Sequence, residues 1–175
     1  MDKGRSMETI KCIMTRRSVR KYTSKKMTET QLRKVLEAAM NAPSAGNQQA
    51  WQFVVVRDRE ILSKMTEVHP YAQMLKTAQA AIVVCGDLPA QKHQRYWVQD
   101  CAAATQNALL AAHALGLGAV CLGVHPRADR VKGVQRVLGL PKGIMPLSII
   151  ALGYPGEKLR AVKRFAKAKV HYEKW

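Results

Sequence analysis

The segment from 91 to 115 constrains the fold more than any other part of this chain. Its apolar residues recur at helical spacing, and small alanines fill most of the remaining positions. The stripe consists of Trp97, Cys101, Ala104, Ala108, Ala111 and Leu115. A helix that is apolar most of the way round is a buried helix. The segment therefore predicts a helix that lies at the centre of the domain or packs against a second subunit.

Helical and strand-like segments alternate around this helix. The predicted helices cover 29–41, 58–67, 91–115 and 127–138, with a short first helix through Met7, Ile10 and Met14. The predicted strands cover 51–58, 80–86, 118–124 and 146–155. A capping box at 28–31 marks the start of the second helix, and His69 with Pro70 ends the third. Alternation alone favours a doubly wound parallel sheet.

The chain is predicted to form one domain over 1–175. Its 175 residues suit a single core, and 47% apolar with 23% charged residues is typical of folded proteins. No linker or internal repeat divides the sequence. Residues 157–175 are basic with few core-type side chains, which predicts a C-terminal arm.

Positive charge exceeds negative charge by an unusual margin. The chain has 29 Lys and Arg against 12 Asp and Glu, a net charge of +17, which attracts anionic partners of some kind. The stretch 15–26, TRRSVRKYTSKK, contains no acid. It is compatible with a nucleic-acid surface, a pocket for one bound phosphate, or a solvated surface. No RNA-recognition, zinc-finger or heptad signature accompanies it, so we predict no nucleic-acid partner.

The cysteines and the N-terminus indicate a cytoplasmic protein. The four cysteines form no C-x-x-C pair, and three of them lie in apolar surroundings, as expected for reduced, buried thiols. The N-terminus lacks the apolar stretch of a signal peptide. The most apolar stretch, 108–124, is interrupted by a histidine and three glycines, so we predict no membrane partner.

No motif supplies a side-chain catalyst or a metal site. GLGAVC at 116–121 has a cysteine where the dinucleotide fingerprint needs its third glycine, and it precedes a strand instead of following one. Cys121 and His125 have no third ligand at a comparable spacing. The serines lie in no nucleophile elbow. We predict no catalytic side chain and no metal, which leaves chemistry carried by a bound cofactor.

Five segments in chain order resemble motifs of the nitroreductase family of flavin enzymes. RRSVRKY at 16–22 is similar to the R-x-S-x-R/K element, and APSAGNQQAW at 42–51 to the A-P-S-x-x-N-x-Q-P-W loop. Segment 97–124 resembles the long helix and the G-x-W-x-G strand, while 151–155 and 164–175 resemble the closing strand and arm of a short subfamily. The resemblance implies an α+β fold of three α/β/α layers with a mixed, mainly antiparallel sheet, and an intertwined homodimer. It replaces the doubly wound alternative.

The resemblance also implies noncovalent FMN at the dimer interface. Arg16 and Arg20, helped by Arg164 from the arm, would hold the FMN phosphate. Paired guanidinium groups suit a phosphate because their planar forks bind its oxygens bidentately. Ser18 and the backbone at Arg17 would face the ribityl chain or the ring edge.

Two further segments would line the flavin in this family pattern. The partner subunit would contribute Pro43, Ser44, Ala45 and Asn47. Backbone N–H groups near Leu122 and Gly123 would approach flavin N5, where hydride is accepted, and a glycine suits such a close approach. The chain departs from the pattern at Cys121, Ala50, Gln106 and His125, where many relatives have Trp, Pro, Glu and Tyr. The first three of these departures would alter packing near the flavin and leave substrate choice open.

The activity that the resemblance implies is a ping-pong oxidoreduction. NAD(P)H passes hydride to flavin N5 and leaves, and an electron-poor acceptor such as a nitroaromatic or a quinone then takes its place. Stacking and distance do most of the work, so no acid or base is required. Two alternatives stay open: a flavin-binding or flavin-handling protein of the same fold without reductase activity, and a basic nucleic-acid-binding module.

Overall fold

The computed structural model describes residues 8–160 and 162–175. The helices are α1 (Thr9–Thr15), α2 (Glu29–Met40), α3 (Arg59–Val68), α4 (Trp97–Ala114) and α5 (Ala128–Leu138). The strands are β1 (Trp51–Val56), β2 (Ala80–Asp87), β3 (Gly118–Gly123) and β4 (Ile144–Gly153). Short 3₁₀ turns cover Ala45–Asn47, Gln73–Lys76 and Lys167–Lys169.

Local signals explain where several helices begin and end. The predicted capping box is present: the Thr28 side chain accepts from the Gln31 N–H, and the Gln31 side chain accepts from the Thr28 N–H. Asp58 caps α3 in the same way by accepting two backbone N–H groups of the first turn. α5 ends at Gly139, which adopts a left-handed conformation with φ 61°.

The four strands form one antiparallel sheet in the order β1-β2-β4-β3. An isolated parallel bridge joins Ser18 to Ala119 on β3. The α+β prediction with a mainly antiparallel sheet is therefore confirmed. The doubly wound alternative is wrong, since each neighbouring pair of strands in this sheet is antiparallel.

Helices cover both faces of the sheet, which confirms the three-layer prediction. α2 and α4 pack on one face around Ile82, Val84, Ile150 and Leu152. α3 and α5 pack on the other face around Val83, Val120, Ile149 and Ala151. Side chains of β2 and β4 are buried on both faces, which explains the continuous apolar character of their sequences.

Some predicted element boundaries are wrong. The long helix begins at Trp97 and not at 91, because Arg95 adopts a left-handed φ of 70° that a helix cannot include. β1 ends at Val56, since Asp58 already serves as the cap of α3. Met7 of the predicted first helix lies outside the described residues.

α4 buries one side and leaves another exposed. Trp97, Cys101, Ala104 and Ala108 of the predicted stripe are buried in the core. Small residues on other sides of the helix, such as Ala102 and Ala114, are exposed in the single chain. Within the described residues, no helix combines the length and apolar character that crossing a membrane requires.

Candidate functional site

β3 forms an edge of the sheet, and its register decides which backbone groups point outward. The Val124 N–H donates to the Leu147 carbonyl of β4 at 2.9 Å. Because the direction of backbone groups alternates along a strand, Ala119, Cys121 and Gly123 direct their N–H and C=O groups away from β4. The Val19 N–H accordingly reaches the Ala119 carbonyl at 3.0 Å. The Gly123 N–H thus points outward from the strand edge, whereas the Leu122 N–H points toward β4. The flavin contact expected near these two residues stays a prediction.

The space above Gly123 is empty of protein. A Cβ atom added to Gly123 would have no heavy atom of the described chain within 4 Å. Packing within the chain therefore does not explain the glycine, unlike at Gly118, where an added Cβ would lie 2.6 Å from Val19. Leu122, by contrast, is buried in the core. The edge around Gly123 can admit a flat ligand close to the main chain.

The basic segment 16–20 lies along this edge. Ser18 is bridged to Ala119, and the Arg20 guanidinium donates to the Ser18 carbonyl at 3.4 Å. Partial burial raises the pKa of the Cys121 thiol on β3, and Arg16, which directly follows α1, lies close enough for its charge to lower that pKa by a smaller amount. Arg16 and Arg20 thus place positive charge beside the outward-pointing amides.

His113 near the end of α4 is affected by the same charge. Burial and the positive charges of Arg16 and Arg17 lower the pKa of His113 below its usual value. Its Nε2 lies 2.9 Å from the Thr15 hydroxyl. Burial is the main cause of the lowered pKa, and the two arginine charges add to it; the same positive charges favour an anion nearby.

Arg17 attaches the start of the arm to the rest of the chain. Its guanidinium donates to the carbonyls of Arg160 and Val162 at 3.2 and 3.3 Å. Glu157 binds the opposite side of the segment, since its Oε1 accepts from the Arg20 N–H at 2.6 Å and from the Lys21 N–H at 3.2 Å. Arg164, the predicted third phosphate ligand, is exposed within the arm. The arm thus begins beside the two arginines.

The predicted flavin-lining loop is fixed by a buried carboxylate. Asp100 in the first turn of α4 is 4% exposed. It accepts from the Ala45 N–H at 3.0 Å and from the Gln48 side-chain amide at 2.6 Å. The Gln48 side-chain oxygen Oε1 in turn accepts from the Lys92 and His93 N–H groups. These bonds attach the loop to the start of α4.

This loop also has an unusual backbone. Gly46, Asn47 and Gln49 adopt left-handed conformations with φ near 50°, which asparagine tolerates better than most residues and which is often found at functional sites. The Ser44 hydroxyl accepts from the Gln49 N–H at 3.0 Å. Pro43 and Asn47 are exposed, while Ser44 and Ala45 are half-buried. The loop presents a fixed polar surface to solvent.

Within the single chain, the predicted flavin-lining loop does not lie beside Arg16 of the predicted phosphate site. The loop is bonded to Asp100 at the start of α4, whereas Arg16 lies beside His113 near its end. Asp100 and His113 are about 20 Å apart along the helix axis, at about 1.5 Å of rise per residue.

Several residues that shape the site were not predicted from the sequence. Asp100, Gln48 and Glu157 make its supporting hydrogen bonds. One signal was available: a carboxylate inside an otherwise apolar helix needs polar partners when it is buried. Nothing in the sequence indicated which partners those were. Among the described residues, no group of three potential ligands is arranged to hold a metal.

The fold and this edge define an α+β class of protein: a central antiparallel sheet is covered by helices on both faces and has a basic segment beside its β3 edge. The nitroreductase family model matches residues 13–76 and 65–154. The chain therefore belongs to the nitroreductase family, as its motifs predicted.

Relatives and solved structures agree with this assignment. An Archaeoglobus fulgidus protein named "Putative NADH dehydrogenase/NAD(P)H nitroreductase" is 49% identical over 172 residues, covering 96% of this chain and 99% of the relative. A Parabacteroides distasonis structure of the same name has a TM-score of 0.92 and 41% identity, and the match covers 95% of this chain and 98% of that one. A Desulfovibrio desulfuricans protein solved in complex with FMN has a TM-score of 0.83 and 30% identity, covering 95% and 97%.

Proposed function

We propose that this protein is an FMN-dependent oxidoreductase that takes hydride from NAD(P)H and delivers it to an electron-poor small molecule by a ping-pong mechanism. Family membership and the names of the relatives bear out the prediction of an NAD(P)H-dependent oxidoreductase with FMN. The observation that carries the proposal for this chain is the outer edge of β3, which has the basic segment 16–20 beside Ala119 and the open Gly123 at its end. The acceptor and the order of the two half-reactions belong to the proposal.

The residues present fit FMN at both of its ends. Arg16, Arg20 and the arm's Arg164 offer guanidinium groups for a phosphate, and the free volume above Gly123 accepts a flat ring. Ser18, which is bridged to Ala119 on β3, and the main chain at Arg17 would face the ribityl chain or the ring edge. When bound, FMN supplies a ring that accepts hydride from one substrate and gives it to the next.

The chain's own residues would position and shield the reactants. The outward-pointing amide of Gly123 would hold the reactive edge of the ring, and the buried Leu122 supports that strand from the core. Cys121 exposes its side chain beside them. The protein would act by orienting the two reactants at a short distance from each other. No described carboxylate or imidazole is therefore required to move a proton.

We infer that the site is completed in a homodimer. The loop that contains Pro43, Ser44, Ala45 and Asn47 is held far along α4 from the arginines of the same chain. The same loop of a partner subunit would therefore line the flavin. The exposed apolar side chains Ile10, Ile13 and Met14 of α1 support a protein partner on that side. A groove of about 300 Å³ between α1, α2 and α4 adjoins them. Its lining includes Cys12, Ile13, Leu110 and Ala114.

The phosphate role of the arginines is tested by comparing FMN with riboflavin. Arg16→Ala and Arg20→Ala should each raise the Kd for FMN by about tenfold to a hundredfold, because hydrogen bonds to charged groups contribute about 1.5–3 kcal/mol. Riboflavin, which lacks the phosphate, should bind these variants as it binds the unaltered protein. Quenching of flavin fluorescence measures both constants.

The control for this test is Arg136→Ala, which removes an exposed charge from the far side of the molecule on α5. It should leave both constants unchanged. Unaltered FMN binding in both Arg16→Ala and Arg20→Ala would remove these residues from the site.

The reductase activity is tested by adding NADH or NADPH to the flavin-loaded protein without oxygen. Bleaching of the flavin absorbance supports the oxidoreductase, whereas a yellow protein that neither nicotinamide reduces would be a flavin-handling relative. A colourless protein that shifts DNA at physiological salt would be the nucleic-acid module.

We also infer a cytoplasmic location, since the four cysteines are free thiols.

A further inference from the structure

Two side chains outside the family motifs hold the end of β3. The Gly123 carbonyl lies 2.9 Å from His69 Nε2 and accepts a hydrogen bond from the Arg130 guanidinium at 3.0 Å. His69 directly follows α3 and is 1% exposed, while Arg130 lies in the first turn of α5. Two separate elements therefore converge on one carbonyl oxygen, and both of its lone pairs are used.

The hydrogen bonds of His69 fix its tautomer. A carbonyl can only accept, so Nε2 must donate its proton to Gly123. The Tyr71 N–H can only donate, and it reaches Nδ1 at 3.3 Å. Nε2 thus acts as the donor and Nδ1 as the acceptor, and both ring nitrogens are used. This arrangement leaves the imidazole little freedom to turn away from the strand.

Tyr71 also helps to orient Arg130. Its ring centroid lies 5.4 Å from the Arg130 guanidinium carbon, and its edge contacts the His69 ring. The buried Arg130 Nε has no hydrogen-bond partner among the described residues. The donation to Gly123 is therefore the hydrogen bond that orients this guanidinium.

The carbonyl that these groups bind determines where the neighbouring amide points. In an extended strand, the N–H and C=O of one residue face the same side, and those of Gly123 face away from β4. We propose that His69 and Arg130 are positioning residues that aim the Gly123 N–H at the reactive edge of the flavin ring. This inference rests on the proposed function, because it requires a flavin at the end of β3.

The test compares FMN and riboflavin binding in His69→Leu, His69→Gln and Arg130→Met. Because the two residues act at the ring end, His69→Leu and Arg130→Met should weaken both flavins equally, each by about fivefold for the loss of one net hydrogen bond. Each should also shift the midpoint potential of the bound flavin. His69→Gln keeps an N–H donor where Nε2 stands and should restore both properties.

Arg136→Met is the matched control, since it removes a charge from an exposed position on the same helix. It should change neither the flavin affinity nor the potential. If the unaltered protein binds flavin but Arg130→Met and a folded His69→Leu behave like this control, the inference fails and the proposed function stands. If the unaltered protein binds no flavin, both fail. Should His69→Leu not fold, Arg130→Met and His69→Gln decide the outcome.

Discussion

Cys121 differs from the other three cysteines at the scale of single residues. The residue is exposed by surface area at the edge of β3, although enough protein surrounds its sulfur to raise the pKa of the thiol, while Cys12, Cys85 and Cys101 are buried. Burial raises the pKa of Cys85 and of Cys101 to about 12, so both stay protonated at neutral pH. The sequence predicted buried thiols from apolar neighbours. At Cys121 that expectation is wrong, because its side chain projects from an edge strand.

Alkylation should distinguish these thiols. We expect iodoacetamide to modify Cys121 first, at a rate that rises with pH because its raised pKa leaves little thiolate near pH 7. FMN should slow the reaction if the ring covers the end of β3. Peptide mass spectrometry between about pH 7 and 9 measures both effects, with Cys121→Ser as the control. Faster labelling of Cys85 or Cys101 would contradict the described burial.

At the scale of elements, the order of helices and strands was more predictable than their arrangement. Each of the four predicted strands is present, and the four helices from α2 onward overlap the predicted segments. The alternation of strand and helix nevertheless favoured a parallel sheet. α3 and α5 instead connect antiparallel neighbours, and α4 connects β2 to β3 on the two sides of β4. Nothing local encodes that arrangement.

The start of α2 offers a test of an element that the sequence specifies by itself. Thr28→Ala should lower the free energy of unfolding by about 1 kcal/mol, because the capping box loses its side-chain acceptor. Thr28→Ser should restore most of the loss. Chemical denaturation followed by circular dichroism measures the difference. Thr30→Ala, at an exposed position two residues further on, is the control and should have little effect.

At the scale of the whole molecule, the exposed apolar side chains are concentrated in α1 and the arm. Ile10 and Met14 of α1 are 63% and 62% exposed, and Phe165 and Trp175 of the arm are 85% and 101% exposed. Monomeric soluble proteins rarely expose apolar surface of this extent, which is typical of a protein–protein interface. The basic residues fall into two groups. Arg16 and Arg20 belong to the proposed phosphate site, while most of the others are exposed to solvent.

Disrupting this surface should separate the subunits and empty the site. Ile13→Asp places a charge in the groove between α1, α2 and α4, so we expect a monomer that retains little FMN. Ser63→Asp, on the exposed side of α3, adds the same charge elsewhere and should stay dimeric and yellow. Analytical ultracentrifugation and flavin absorbance report the two properties. An Ile13→Asp dimer with full FMN content would exclude this face from the interface.

The sequence alone determined the features that depend on neighbouring residues. Helical spacing, the cap at Thr28 and the helix break at His69 act within a few positions, so α2 and α3 could be placed from local signals. The ordered motifs likewise determined the family. The roles of Arg16 and the other proposed flavin ligands stay predictions.

Tertiary structure alone decided which distant residues meet. Asp100 binds Ala45 from 55 positions away, and His69 reaches Gly123 across 54 positions. Such pairs depend on strand order and on the packing of whole helices, because a side chain has no local preference for a partner that folding brings beside it. The supporting framework of the site was therefore visible only in the folded chain.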